Sequence, residues 1–162
     1  MDQNQAKTMF ESLSSRLEQA NAQVDCTGIS GAAAAFLIAG IGRYVALPLM
    51  VVVPTAKSGV TLREDLRFFL ADEQTRLLEF PAYNILPYKS MAYHSETTAK
   101  RIGTLYQMMN GDHRSVTILP VDALLQKVIP RAEMVNYAEL VMAGEECDRD
   151  RLVEKLLWGG YS

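Results

Sequence analysis

The pattern of apolar and polar positions predicts helices and strands in alternation over most of the chain. Apolar residues at helical spacing, often behind a capping residue, indicate helices, and short β-branched runs indicate strands. The predicted helices cover residues 6–23, 31–44, 55–71, 95–109, 121–128 and 148–158. The predicted strands cover residues 23–29, 47–53, 76–80, 115–119 and 137–142. This order favours an α/β fold with a mostly parallel sheet and helices on both faces.

Two of these strands are nearly continuous apolar runs. Residues 47–53 are Leu-Pro-Leu-Met-Val-Val-Val, and residues 115–119 are Ser-Val-Thr-Ile-Leu. Runs without alternation are typical of parallel strands that are covered on both faces. We therefore expect two adjacent or near-adjacent core strands in a three-layer fold. The pattern changes after Pro130, which predicts a first domain over residues 1–130 and the truncated start of a second over 131–162.

Helical spacing also predicts which side chains face the core. On the helix at 55–71 these are Val60, Leu66 and Phe69. On the helix at 95–109 they are Ala99, Ile102, Tyr106 and Met109.

Composition and charge exclude several classes of protein. Sixteen Lys and Arg residues against nineteen Asp and Glu give a net charge of −3, which disfavours strong autonomous binding to nucleic acid. The longest apolar stretches, 32–41 and 45–53, are shorter than the roughly 20 residues of a membrane span. With no basic leader at the N-terminus, we expect a cytoplasmic protein and no membrane contact. Cys26 and Cys147 stand far apart without a CxxC motif, which indicates reduced thiols and no metal site.

The most informative chemistry lies where the predicted strand 23–29 leads into the helix at 31–44. The segment Gly-Ile-Ser-Gly-Ala-Ala-Ala-Ala occupies the place of a phosphate loop, G-x-x-x-x-G-K-[ST]. The loop residues concerned are Gly28, Ser30, Gly31, Ala33, Ala34 and Ala35. Ala34 replaces the lysine that reaches the phosphates, and Ala35 replaces the hydroxyl residue that holds Mg²⁺. The segment is therefore either a degenerate phosphate loop or a Gly–Ser turn before an alanine-rich helix, and both alternatives argue against ATP hydrolysis.

Other candidate sites are weak, and the sequence predicts no catalytic residue and no metal ligand. His94 and His113 lie on either side of a helix, with no nucleophile motif beside them. Asp122 follows an apolar strand as a Walker B carboxylate would, but a role at a helix N-terminus is simpler. Tyr83 and the other tyrosines of the loop after residue 80 could stack on bases or pack the loop itself.

A family resemblance is carried by three phrases between Phe80 and Pro130. They are F-P-x-x-x-x-L-P-Y at 80–88, R-I-x-x-L-Y-Q at 101–107 and I-L-P-V-D-A-L-L-Q-K-V-I-P at 118–130. Their distinctive residues are Phe80, Pro81, Pro87, Tyr88, Arg101, Leu105, Tyr106 and Pro120. In these phrases, and in Gly159-Gly160-Tyr161 after a helix, the chain resembles the N-terminal region of the bacterial transcription-repair coupling factors, the Mfd family.

The resemblance implies a particular fold and a particular role. Residues 1–130 would form a RecA-like domain 1a related to UvrB, and 131–162 would begin domain 2, which binds UvrA in the family. ATP and Mg²⁺ would act in motor domains elsewhere in the polypeptide, as would the contacts with RNA polymerase and DNA, so that this part is non-catalytic. One alternative is a fragment of a UvrB-like ATP-dependent helicase that keeps a nucleotide site. Another is an α/β protein unrelated to repair.

Overall fold

The fold consists of three strands and seven helices among the residues that the computed structural model describes. These are residues 3–45, 47–71, 75–83, 95–110, 114–137, 144 and 146–158. The elements in chain order are α1 (Gln3–Leu17), α2 (Ala32–Tyr44), β1 (Leu49–Val53), α3 (Ala56–Phe69), β2 (Arg76–Glu79), α4 (Ser95–Asn110), β3 (Ser115–Pro120), α5 (Val121–Leu124), α6 (Arg131–Tyr137) and α7 (Arg149–Trp158). No helix in the described part of the chain is long and apolar enough to cross a membrane.

The chain divides into two compact units, Met1–Gln126 and Lys127–Ser162. The first unit holds the sheet and helices α1 to α5, and the second holds α6 and α7. The assignment of residues 1–130 and 131–162 to the family's domains 1a and 2 stays a prediction.

The sheet has three parallel strands in the order β1-β3-β2. Leu49 lies opposite Val116 in the β1–β3 pair, and Arg76 lies opposite Ser115 in the β2–β3 pair. The prediction of an α/β fold with the 47–53 and 115–119 segments as adjacent strands is thus confirmed. Its finer form, a RecA-like fold with a phosphate loop, stays a prediction.

Helices α2 and α3 pack on one face of the sheet and form the larger of two cores. Its buried residues are Ala35, Ala39, Val53, Leu66, Leu70, Val116 and Ile118. The smaller core contains Phe80, Leu119 and Ala123, with Ala82 and Leu105 packed against it. Because side chains alternate along a strand, Ile118 and Leu119 point to opposite faces of the sheet. Strand β3 is therefore buried on both faces, as its unalternating sequence predicts.

Strand β1 departs from that prediction because the described residues cover only one of its faces. Val53 is buried in the larger core and Val51 packs against that core. On the other face, Met50 is 55% exposed and Val52 is 47% exposed. The expectation of cover on both faces is correct for β3 and wrong for β1 within the described residues.

Helices α1 and α2 contact each other through Phe10 and Gly40. The Phe10 ring lies where a side chain at position 40 would begin, with its atoms Cε1 and Cζ in that space. The ring is buried and meets Phe36 edge to face at 5.5 Å and Tyr44 in a stack at 6.2 Å between centroids. Only a residue without Cβ allows this approach, so the glycine at position 40 sets the distance between the two helices.

Four of the predicted element boundaries or types are wrong. Residues 23–29 form no strand, since residues 22–27 lie outside regular structure and Val24 is their one half-buried side chain. Helix α1 ends at Leu17 and not at the predicted residue 23. Helix α5 ends at Leu124 and not at the predicted residue 128. Tyr137 closes helix α6, whereas the rest of the predicted strand 137–142 lies outside the described residues.

The predicted inward faces of α3 and α4 are only partly correct. Leu66 is fully buried and Phe69 packs against the larger core, but Val60 is exposed. On α4, Ile102 and Tyr106 are exposed, as is Ala99, whereas Met109 is half-buried. The deeply buried positions of α4 are instead polar, and they lie at the candidate site described next.

Candidate functional site

The glycine-rich loop precedes α2 as predicted, but no strand leads into it. Gly28 has φ of 74° and Gly31 has φ of 56°, both in the left-handed region that favours glycine. Both glycines are exposed, and a Cβ at either position would meet open space. Their role is therefore conformational: they turn the chain into α2.

The first turn of α2 already uses two backbone donors within this loop. The N–H of Ala33 donates to the Ser30 carbonyl at 3.3 Å, and the N–H of Ala34 donates to the Gly31 carbonyl at 3.2 Å. In an intact phosphate loop, backbone N–H groups at this place are directed at the phosphates. In this chain, two such donors meet carbonyl oxygens of the loop.

The alanines at the lysine and hydroxyl positions differ in their surroundings. Ala34 is half-buried, whereas Ala35 is fully buried beside Ala39 and Leu66 in the larger core. The methyl group of Ala35 is thus a packing element, and a hydroxyl at this position would be surrounded by apolar atoms. That the segment is a degenerate phosphate loop stays a prediction.

The thiols and histidines singled out in the sequence are placed only in part by the structure. No group of three His, Cys, Asp or Glu side chains among those residues could hold a metal ion. Cys26 and Cys147 are exposed free thiols. His94 and His113 lie outside the described residues.

Several of the family-motif residues meet at the carboxyl end of β2, around Arg101. This side chain is 3% exposed, although it carries a guanidinium group. Its Nη1 donates to the Pro81 carbonyl at 2.8 Å and to Oε1 of Gln126 at 3.2 Å. Its guanidinium carbon lies 4.1 Å from the ring centroid of Phe80 and 4.4 Å from that of Tyr83. Cation–π contacts of this kind are stronger when they are desolvated, as here.

Gln126 and Thr104 complete this group, which we call the arginine cluster. The Tyr83 N–H donates to Oε1 of Gln126 at 2.8 Å, and Nε2 of Gln126 donates back to the Tyr83 carbonyl at 3.0 Å. Thr104 Oγ1 donates to the Glu79 carbonyl at 2.6 Å. The cluster is defined by Glu79, Phe80, Pro81, Tyr83, Arg101, Thr104 and Gln126.

The remaining family-motif residues that the structure describes lie outside the cluster. Leu105 packs against the smaller core, and Pro120 is buried at the end of β3. Tyr106 is exposed on α4, away from the buried positions of that helix. Pro87 and Tyr88 lie outside the described residues.

An ion-pair network ties the same end of the sheet to α3. Arg63 Nη1 lies 2.8 Å from Oε1 of Glu79, and its Nη2 lies 2.8 Å from Oε1 of Glu64. The hydrogen bond with Glu64 and then the charge of Glu79 raise the pKa of the Arg63 guanidinium. Because arginine is always protonated, this shift leaves its charge unchanged over the physiological pH range.

The sequence indicated only part of this site. It singled out Arg101, Phe80 and Pro81, but it gave no role to Thr104 or Gln126. Gln126 stands inside the phrase at 118–130, yet only the fold shows that it meets Tyr83, which is 43 positions away. The Tyr83 ring packs against Arg101, which favours loop packing over the suggested stacking on bases. The described contacts of this arrangement position backbone and rings.

Curated proteins with similar sequences all carry one name. The chain is 31% identical over 147 residues to the transcription-repair-coupling factor of Myxococcus xanthus, which covers 88% of this chain and 12% of that protein. It is 30% identical over 133 residues to that of Escherichia coli K12, covering 82% of this chain and 11% of the relative. The relative from Haemophilus influenzae is 25% identical over 112 residues.

The match covers most of this chain but only a small part of each relative. No protein-family model matches the chain. The chain spans about one eighth of the length of the first of these relatives. The resemblance carried by its motifs is nevertheless confirmed: over most of its length, this chain is similar to a segment of the bacterial transcription-repair-coupling factors.

Proposed function

We propose that this chain is the N-terminal, non-catalytic module of a transcription-repair coupling factor. The parent protein would be cytoplasmic, would remove RNA polymerase stalled at DNA lesions, and would recruit nucleotide excision repair through UvrA. The observation that carries the proposal is the 31% identity over 88% of this chain to a protein of that name. Contacts with RNA polymerase and DNA would belong to other parts of the parent polypeptide.

The absence of nucleotide chemistry is part of the proposal. A bound triphosphate needs a cation partner and a ligand for Mg²⁺, and the loop has Ala34 and Ala35 at the corresponding positions. Two backbone donors there are also engaged with loop carbonyls. ATP and Mg²⁺ would therefore act only in the motor domains of the parent, and this module would serve as a scaffold.

Calorimetric titration of the chain with Mg·ATP tests this point. We expect no saturable heat at millimolar nucleotide, and no phosphate release in a parallel ATPase assay. A variant with Gly28 and Gly31 both changed to alanine is the matched control for the loop. Micromolar binding by the unaltered chain that disappears in this variant would overturn the proposal in favour of a helicase fragment with a nucleotide site.

The partner proposal concerns the second unit. Residues 131–162 would supply the opening part of domain 2, the UvrA-binding domain of the family. On α7, Leu156 is exposed, as are Val153 and Leu157, whereas Leu152 is half-buried, and this exposed apolar surface supports the proposal that further parts of the domain would pack here. A stable interface needs roughly 800 Å² on each partner, which a partial domain would not present in a packed form.

Titration of UvrA against two chains tests the partner. One is this chain, and the other is extended through the whole of the second domain. We expect tight binding by the longer chain and weak or no binding by the shorter one. Equal, tight binding by both would overturn the assignment to the second domain, and binding by neither would overturn the partner itself.

A further inference from the structure

The Gln126 side chain acts on Tyr83 as the backbone of a neighbouring strand would. In a β-ladder, a residue donates its N–H and accepts at its C=O through partners on the adjacent strand. A carboxamide carries the same donor and acceptor groups as a peptide unit. Gln126 uses both, because its Oε1 accepts from the Tyr83 N–H at 2.8 Å and its Nε2 donates to the Tyr83 carbonyl at 3.0 Å.

This side-chain pairing begins where main-chain pairing with β3 ends. The Phe80 N–H, one residue beyond β2, donates to the Ile118 carbonyl at 2.9 Å. Three residues further along, Tyr83 is bonded to Gln126. Between them, the chain is hydrogen-bonded to α4, because the Pro81 carbonyl accepts from Arg101 Nη1 at 2.8 Å. Residues 80–83 thus have hydrogen bonds at three of four positions although they belong to no regular element.

The orientation of the Gln126 carboxamide is determined by its neighbours. Its Oε1 accepts from two donors, the Tyr83 N–H and Nη1 of Arg101 at 3.2 Å. The reverse orientation would direct the NH₂ group at both donors and would leave the Tyr83 carbonyl facing an oxygen. A flipped carboxamide would therefore lose three hydrogen bonds together, and in this half-buried setting such losses are costly.

We propose that Gln126, Arg101 and Tyr83 form a latch that fixes the path of residues 80–83 after β2. Gln126 is the positioning residue of the latch, because it replaces a strand partner for Tyr83 and accepts from Arg101. Arg101 closes the latch by bonding Pro81 and lying over the Phe80 and Tyr83 rings. This role is independent of the proposed repair function, since it depends only on contacts within the first unit.

Hydrogen exchange of the Tyr83 amide, followed by NMR in the whole chain, tests the latch. Gln126→Ala removes the acceptor, so the Tyr83 amide should exchange on the order of tenfold faster, while the amides of β3 keep their protection. Gln126→Glu keeps both accepting bonds but sets a carboxylate oxygen against the Tyr83 carbonyl, so its Tyr83 exchange rate should lie between those of the unaltered chain and Gln126→Ala. Gln107→Ala on the exposed side of α4 is the matched control and should leave Tyr83 unchanged.

Two results would overturn the proposal. One is an unchanged Tyr83 exchange rate in Gln126→Ala. The other is an equal acceleration of Tyr83 and the β3 amides, which would indicate general loss of stability. The unaltered chain gives a second test that needs no variant to fold: one side-chain N–H of Gln126 should exchange more slowly than those of Gln107. Equal rates for the two glutamines would also refute the latch.

Discussion

Substitution of Gly40 by alanine isolates the contact that joins α1 to α2. In most helices this change stabilises the protein by about 1 kcal/mol, because glycine is the poorer helix former. At position 40 the new Cβ would overlap the Phe10 ring, which also places its Cδ1 within 2.7 Å of that point. The ring is enclosed between Phe36 and Tyr44, so it cannot move aside and stay buried. We therefore expect the sign of the effect to reverse.

The magnitude follows from what Phe10 would lose. Exposure of a buried phenylalanine costs about 1.5–3 kcal/mol, and each aromatic pair adds about 0.5–1.5 kcal/mol. A displaced ring would thus cost about 3 kcal/mol, of which the helix-propensity gain offsets about 1 kcal/mol. The expected net change is a loss of about 2 kcal/mol in the free energy of unfolding.

Gly103→Ala on α4 is the matched control. It also lies inside a helix, but a Cβ there would meet nothing within 4 Å. We expect Gly103→Ala to raise the free energy of unfolding by about 0.5–1 kcal/mol. Urea denaturation followed by circular dichroism measures both variants.

Removal of the ring provides the decisive comparison. In a Phe10→Ala background, the Gly40→Ala change should become favourable by about 1 kcal/mol, because nothing then occupies the space. A Gly40→Ala variant as stable as the unaltered chain would refute the packing argument. So would a penalty that persists without Phe10.

Three further changes test other parts of the fold by the same denaturation assay. Ala35→Thr should lower the free energy of unfolding by about 1–3 kcal/mol because it places a hydroxyl and an extra methyl in the larger core. Ala34→Lys should lower it by less than about 1 kcal/mol because Ala34 is only half-buried at the start of α2. Equal losses in the two variants would contradict the difference in burial. Thr55→Ala should lower the free energy of unfolding by about 1 kcal/mol because Thr55 Oγ1 accepts from the Ser58 N–H at 3.1 Å and so caps α3. Thr61→Ala, on the exposed surface of the same helix, is the control and should leave it unchanged. Thr104→Val should cost about 1–2 kcal/mol because it keeps the shape but removes the 2.6 Å bond to the end of β2, and unchanged stability would show that this bond contributes little.

The sequence by itself determined the features that depend on neighbouring residues. The β-branched segments became β1 and β3, and the alanine-rich segment became α2. Thr55 caps α3 because a hydroxyl before a helix satisfies an otherwise unpaired N–H, which is a local rule. The family resemblance was also readable at this level, since it depends on residue order in phrases such as 80–88.

The tertiary structure decided which surfaces are covered. Apolar spacing shows that a helix has a face to bury, but on α4 the buried positions are Arg101 and Thr104, because backbone carbonyls at the end of β2 accept their hydrogen bonds. An apolar run likewise predicted two covered faces for β1, but the described elements cover only the face of Val51 and Val53 and leave Met50 and Val52 exposed.

The same distinction explains why the sequence indicated only some members of the arginine cluster and gave no role to Gln126. A glutamine has no fixed partner until the fold brings a donor and an acceptor within reach of its side chain. Gln126 meets Tyr83 only because α5 follows β3 and residues 80–83 follow β2, the neighbouring strand. Local propensity indicates which segments form helices and strands, whereas contacts between residues far apart in sequence depend on how those elements pack. On α4, that packing buries the Arg101 guanidinium, whereas the sequence pattern predicted that apolar side chains of this helix would be buried.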